Sequence, residues 1–361
     1  MGEPAVTVGA VANPASGRDI RRLVAQASVF PTAEKANMVQ RLLAAFGTVG
    51  VDRALLSTDL GGISAAVLRA LHRRRGRDGA WPQVDFCADD EITGTAQDTV
   101  NAVRRMVAAE ARLIVCLGGD GTARVAAQAC GDVPLLALST GTNNAFPQLR
   151  EATVAGLAGG LVATAAVSPA IGTRRASVLE VSAGTRTELA LVDVCASTER
   201  HVGSRALWHP GTLTELFCTF AEPDGIGLSS VAGQLCPSPR STPDGVALTL
   251  APPDEATWVV HAPIAPGLVA PVGVRSWRPL VPGERVSLGA RGGVIAVDGE
   301  RELELRDETA TVLLRADGPR CVDVRAVLAE AARTGLLRVR NPEGSVNDDG
   351  HLVHGGQPRA R

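Results

Sequence analysis

The 361-residue sequence has no tyrosine, and Lys35 is the sole lysine among its 36 lysines and arginines. No tyrosine can therefore act as acid, base or nucleophile. Lys35 stands in Ala33-Glu34-Lys35-Ala36, so both the Gly-Lys-Ser/Thr phosphate loop and the Val-Ala-Ile-Lys kinase strand are missing. A pyridoxal Schiff base would have to form on Lys35, in what reads as a polar helical stretch, and is not expected. None of the 7 cysteines forms a Cys-x-x-Cys pair. That disfavours zinc ribbons and redox couples and points to scattered, reduced thiols. Neither charge sign dominates: the net charge is −2, which gives no global reason to bind nucleic acid or an anionic membrane. Long apolar runs are also missing. The most apolar stretch, Val154 to Val167, is rich in Gly and Ala and too short for a membrane span, so it reads as a tightly packed helix. Met1-Gly2-Glu3-Pro4 shows no basic segment leading into an apolar core, and the expected location is the cytoplasm.

With 45% hydrophobic and 20% charged residues, the chain can bury a large core, and its length suits two domains. Short apolar runs alternate with helical patterns in the first half. Val6–Val11, Leu55-Leu56, Val84–Cys87, Leu113–Leu117 and Leu135–Leu138 read as strands. Helices are expected from Asp19, from Thr32 as N-cap to Phe46, over 63–75, over 96–109 behind a Thr95 cap, and from Ala123. This pattern predicts a doubly wound, Rossmann-like α/β domain over 1–150, followed by a linking helix over 151–170. Beyond that, Pro and Gly punctuate short apolar runs, which predicts an all-β sandwich over 171–320, with a hairpin from Ser177–Ser182 to Glu188–Cys195. A helix over 321–340 is expected to return Val324, Val327 and Leu328 to the first domain. A polar tail with His351 and His354 completes the chain over 341–361.

The sharpest feature is Gly118-Gly119-Asp120-Gly121-Thr122, between an apolar strand and a helix. Glycines let phosphate oxygens approach main-chain N–H groups, and the positive end of the helix points at the same place. Thr122 adds a hydroxyl. A carboxylate amid phosphates makes sense if Asp120 organises a metal ion or takes a proton from an attacking hydroxyl. The local chemistry therefore points to polyphosphate binding or phosphoryl transfer; the bland reading is a glycine turn with a helix-capping aspartate.

This string is the signature of the NAD kinase, diacylglycerol kinase and sphingosine kinase superfamily, which the sequence resembles. Asn13-Pro14-Ala15-Ser16-Gly17 is similar to the superfamily's first phosphate-side loop. Arg18–Leu23 and Gly203–Trp208 resemble the acetoin-catabolism protein X-like branch of the ATP-NAD kinases. Gly141, Thr142, Asn144 and Phe146 match the nucleotide-lining stretch of lipid kinases, with Ala145 replacing the family aspartate. Asp298-Gly299-Glu300 matches the Asp-Gly-Glu of bacterial lipid kinases, although Asp-Gly is equally a favoured hairpin turn.

The resemblance implies an α/β nucleotide domain and a β-sandwich with the site between them. It implies ATP as donor, Mg²⁺ or another divalent metal, and a hydroxyl-bearing acceptor, NAD first, giving NADP. Asn13, Ser16, Gly17, Gly118, Gly119, Gly121, Thr122, Gly141, Thr142 and Asn144 would hold the nucleotide. Asp120 and Asp298 are the candidate catalytic acids, with Glu300 joining them as a metal candidate. NAD kinases carry Ala-Leu-Asn-Glu-Val where this chain has Ala190-Leu191-Val192-Asp193-Val194, so the acid persists as Asp193 while the amide becomes Val192. Asp193 and Arg205 are the candidate substrate contacts. Related readings are a kinase acting on a lipid or small polyol, and a nucleotide-binding regulator without catalysis. Analogy to the superfamily suggests a homo-oligomer.

Overall fold

The computed structural model describes residues 4–17, 25–28, 30–74, 81–87, 91–141, 143–199, 207, 209–289, 292–305 and 308–339. The first domain runs β1 (Thr7–Ala12), α1 (Thr32–Thr48), β2 (Arg53–Leu56), α2 (Ile63–Arg74), β3 (Gln83–Phe86), α3 (Ala96–Ala108), β4 (Ile114–Gly118), α4 (Asp120–Ala129), β5 (Leu135–Ser139) and α5 (Ala152–Ala163). The five strands pair in parallel in the order β3-β2-β1-β4-β5. β1 and β4 are buried along their whole length, as their unbroken apolar runs require when helices cover both faces. The order reverses between β1 and β4. The loops leaving their carboxyl ends diverge there and open a crevice, the usual ligand position in such sheets.

Thr95 accepts from Gln97 N–H and caps α3 as expected, whereas Thr32 is the first residue of α1, with Pro31 at the N-cap. α5 lies in the core of the first domain, with Ala155 and Ala158 beside Leu42 and Phe46 of α1. A Cβ at Gly156 would come within 2.8 Å of the Ala45 methyl, so the small-residue face is what lets the two helices touch.

The second half supplies β6 (Thr173–Arg175), β7 (Val178–Ala183), β8 (Arg186–Ala190), β9 (Asp193–Ser197), β10 (Leu213–Cys218), β11 (Gly245–Ala251), β12 (Trp258–Ala265), β13 (Leu268–Leu280), β14 (Arg285–Ser287), β15 (Gly293–Val297), β16 (Glu300–Leu305), β17 (Ala310–Arg315) and β18 (Arg320–Val322), and then α6 (Val324–Thr334). A seven-stranded antiparallel sheet, β12-β13-β11-β10-β9-β15-β16, faces a four-stranded one, β14-β17-β7-β8. Side chains such as Phe217, Ile295, Val181 and Leu314 fill the space between them. β18 and β6 leave the sandwich and complete the far edge of the parallel sheet beyond β5. Val324 and Val327 of α6 are buried against the first domain, and Leu328 packs beside them. The expected hairpin closes at Ala183↔Arg186, but Glu188–Cys195 is not one strand. It bends at Leu191-Val192 and passes from the smaller sheet to the larger.

All seven cysteines are free, and burial pushes the Cys116 thiol up to about 12 and Cys130 up to about 11. Among the described residues no helix is long and apolar enough to cross a membrane.

Candidate functional site

Helix α4 begins at Asp120 rather than at Ala123, so the glycine string itself forms the first helical turn. Gly119 is the extended N-cap, and the first intrahelical bond runs from Ala123 N–H to the Gly119 carbonyl at 3.0 Å. The N–H groups of Asp120, Gly121 and Thr122 are thus left without an intrahelical acceptor at the positive end of the helix. Side chains are excluded where the turn closes. A Cβ on Gly118 would lie 2.5 Å from the Thr122 Cβ, and one on Gly119 would lie 2.8 Å from Asn144 Oδ1. The Asp120 carboxylate accepts from Ala145 N–H (3.1 Å) and Phe146 N–H (2.8 Å), which fixes it across the crevice mouth.

Two other loops close on this turn. Asn13 Nδ2 donates to Thr122 Oγ1 at 2.9 Å, and the Ser16 and Thr140 hydroxyls meet at 2.6 Å. Asn144 Nδ2 donates to Ser139 Oγ at 2.8 Å, and a Cβ on Gly141 would sit 3.9 Å from Gly17 Cα. Beneath the 13–17 loop lies Lys35, 1% exposed. Its ammonium has three donors, and they reach the carbonyls of Asn13 (3.0 Å), Pro14 (3.1 Å) and Ser16 (3.1 Å). The stretch that reads as polar is in fact a buried face of α1, with the cation satisfied by the loop it supports. Of the predicted nucleotide set, Asn13, Ser16, Gly17, Gly118, Gly119, Gly121, Thr122, Gly141 and Asn144 therefore come together. Thr142 lies outside the described residues.

The second domain supplies the opposite wall. Asp298 and Gly299, with φ of 51° and 73°, make the two-residue turn between β15 and β16 that the Asp-Gly pair favours. The Asp298 carboxylate is fully buried and folds back onto the β8–β9 bend, accepting from Leu191 N–H (3.0 Å), Val192 N–H (2.7 Å) and Asp193 N–H (3.3 Å). Burial pushes its carboxyl up to about 7; the Arg124 guanidinium opposes this, the Asp120 charge adds to it, and the N–H donors oppose it. Arg124, on α4 four residues after Asp120, reaches across the domain boundary to Glu302 (2.6 Å) and towards Asp298 (3.9 Å). Its Nη1 is buried with no hydrogen-bond partner.

Together the walls enclose a cleft of about 590 Å³ lined by Asn13–Gly17, Gly119–Thr122, Arg124, Asp298, Glu300 and Glu302. The Glu300 carboxylate lies 3.5 Å from where a Gly121 Cβ would stand, beside the open turn of α4. Asp193 is 4% exposed and shares a small hollow of about 30 Å³ with Asp120 and Val192. Arg205 and His201 lie outside the described residues, and His209 is exposed. Among the described residues no three His, Cys, Asp or Glu side chains are grouped to hold a metal ion unaided. Sequence reasoning missed Lys35 and Arg124. The spacing of Arg124 from Asp120, one helical turn, could have flagged it; a single lysine in an arginine-rich chain could have flagged the other.

The family model for the ATP-NAD kinase N-terminal domain matches residues 18–166, and that for the acetoin catabolism protein X C-terminal domain matches 177–317. Acetoin catabolism protein X of Cupriavidus necator is 43% identical over 340 residues, covering 92% of this chain and 94% of the relative.

The chain belongs to the acetoin catabolism protein X family.

Its family membership fits the architecture, an ATP-NAD kinase-type α/β domain followed by antiparallel β-sheets. The N-terminal match likens the α/β domain to that of the ATP-dependent NAD kinases.

Proposed function

We propose that the chain transfers the γ-phosphoryl group of ATP to a hydroxyl, with NAD as the first acceptor to test. The observation that carries this reading is the first turn of α4, which lines the 590 Å³ cleft from Gly119 to Thr122 ahead of the first intrahelical bond, with Asp120 at its mouth. Such transfer depends chiefly on positioning and on electrostatic stabilisation of the phosphates. The N–H groups of Gly121 and Thr122 and the loops at 13–17 and 141–144 bind the donor phosphates. Arg124 offers its free Nη1 to a phosphate oxygen, and Asp120 orients the incoming hydroxyl and accepts its proton.

A divalent ion fits this cleft only if donor phosphates complete its ligand set, because Asp120 and Asp298 are engaged by backbone N–H groups. Glu300, whose carboxylate stands beside the first turn of α4 and lines the cleft, is the side chain that would hold the ion, with Asp120. When bound, that ion neutralises charge on the phosphates. Asp298 shapes the bend that carries Asp193.

Val192 favours a second reading, in which the acceptor is a different hydroxyl compound. It is 2% exposed and its side chain offers no hydrogen bond where NAD kinases have an amide. The deciding experiment incubates labelled ATP and Mg²⁺ with NAD, NADH and a panel of polyols and lipids. Transfer to NAD supports the first reading, transfer to another hydroxyl compound the second. Tight ATP binding without transfer to any of them would support the non-catalytic regulator.

A further inference from the structure

Behind the loop that holds Asp120 lies a second cavity of about 410 Å³, separate from the cleft. Five arginines and two acids line it. Three of these arginines are already paired: Arg174 with Asp323, Arg175 with Asp132, and Arg240 with Glu222 at 2.7 Å. The other two are not. Arg150 reaches only the amide oxygen of Gln148, at 2.7 Å, and Arg325 meets no acid among the described residues. The floor is apolar and includes Leu135, Leu136, Phe146 and Phe220, and Arg240 lies over the Phe220 ring at 4.3 Å.

The cavity wall is the reverse side of both carboxylate cradles. Ala145 and Phe146 give their N–H groups to Asp120, and their carbonyls accept from Arg240 at 3.0 and 3.2 Å. Leu191 gives its N–H to Asp298, and its carbonyl accepts from the Thr219 hydroxyl at 2.7 Å. Phe146, Leu191 and Phe220 belong to one packed cluster.

We infer that this cavity is a binding site for a phosphate ester with an apolar or aromatic body, and that its occupation alters the hold on Asp120. Guanidinium forks match phosphate oxygens, and two of these forks have no acid to neutralise them among the described residues. Arg240 divides its donors between Glu222 and the 145–146 carbonyls, so a phosphate beside it becomes a third acceptor on the same fork. Any shift in those two peptides is felt directly by the Asp120 carboxylate. The binding claim stands on the cavity alone; the effect on Asp120 rests on the kinase reading.

The test is calorimetry on the full chain with phenyl phosphate as probe and inorganic phosphate as comparison, each with and without saturating Mg-ATP. Phenyl phosphate is expected to bind in the presence of ATP, and at least tenfold more tightly than inorganic phosphate. The Arg150→Ala/Arg325→Ala variant is expected to lose at least tenfold of that affinity while keeping wild-type ATP affinity. Displacement of phenyl phosphate by ATP, unchanged binding in the variant, or equal affinity for inorganic phosphate would each overturn the site. Saturating phenyl phosphate is expected to shift the ATP dissociation constant several-fold, with the reciprocal shift in its own; no shift would overturn the coupling and leave the binding. A chain that binds phenyl phosphate but not ATP would refute the kinase reading alone.

Discussion

Two glycine turns bring an aspartate to the same cleft, and they hold it differently. Asp120 sits on the first turn of a helix, and two N–H groups from the 145–146 peptides steady its carboxylate at the cleft mouth. Asp298 sits in a hairpin turn with left-handed backbone, and its carboxylate is fully enclosed, bonded to three N–H groups and near Arg124. The first acid lines the cleft from the start of α4, beside the glycine turn. The second joins β15–β16 to the β8–β9 bend. An acidic glycine turn therefore does not declare its role in its letters; what decides it is which backbone amides the carboxylate is left to satisfy.

The sharpest way to break this contrast is to remove each acid. Asp298→Ala leaves three buried N–H groups and part of the Arg124 charge uncompensated, and is expected to cost roughly 3–5 kcal/mol of unfolding free energy in urea titrations. A loss under about 1 kcal/mol would place Asp298 with Asp120 as a cleft acid. Asp120→Asn is expected to lower kcat by roughly 10²–10⁴-fold while changing stability little, as measured by steady-state turnover beside urea unfolding. Full activity in a folded Asp120→Asn protein would remove the proton-accepting role.

Lys35→Met tests the cleft floor. It strips three carbonyls of their donor and is expected to cost about 1–3 kcal/mol and to raise the KM for ATP more than it lowers kcat. The pH dependence separates the two acids most finely. Below about pH 4 the Asp298 carboxyl is protonated in both folded and unfolded chains. Between there and about 7 only the folded chain holds the proton, so its contribution to stability falls as pH rises through that window and levels off above it. The Asp298→Asn variant is expected to lose this part of the slope when urea midpoints are compared at pH 4.5 and 7.5.

Much of the first domain was legible because its signals are local. Apolar runs such as Leu113–Leu117 mark buried parallel strands, Thr95 announces the start of a helix, and the glycine string announces an open helix terminus. The second domain was legible only in outline. Nothing between Glu188 and Cys195 says that the strand breaks at Leu191-Val192, because the three amides freed by the bend find their acceptor 105 to 107 residues away, on Asp298. Lys35 was misread for the same reason: its neighbours in the chain are polar, while its partners belong to a loop about twenty residues earlier.

By itself the sequence determined most of the alternation of strands and helices in the first domain and the glycine turn with its lone acid, since each is set by side chains close together in the chain. Only the tertiary structure decided which carboxylate stays partly open at the cleft mouth and which is fully enclosed. It also placed the lone lysine under the phosphate-side loop and Arg124 across the domain boundary. Those outcomes depend on satisfying buried charges and amides with partners from distant segments, and a chain reveals such partners only once it has folded.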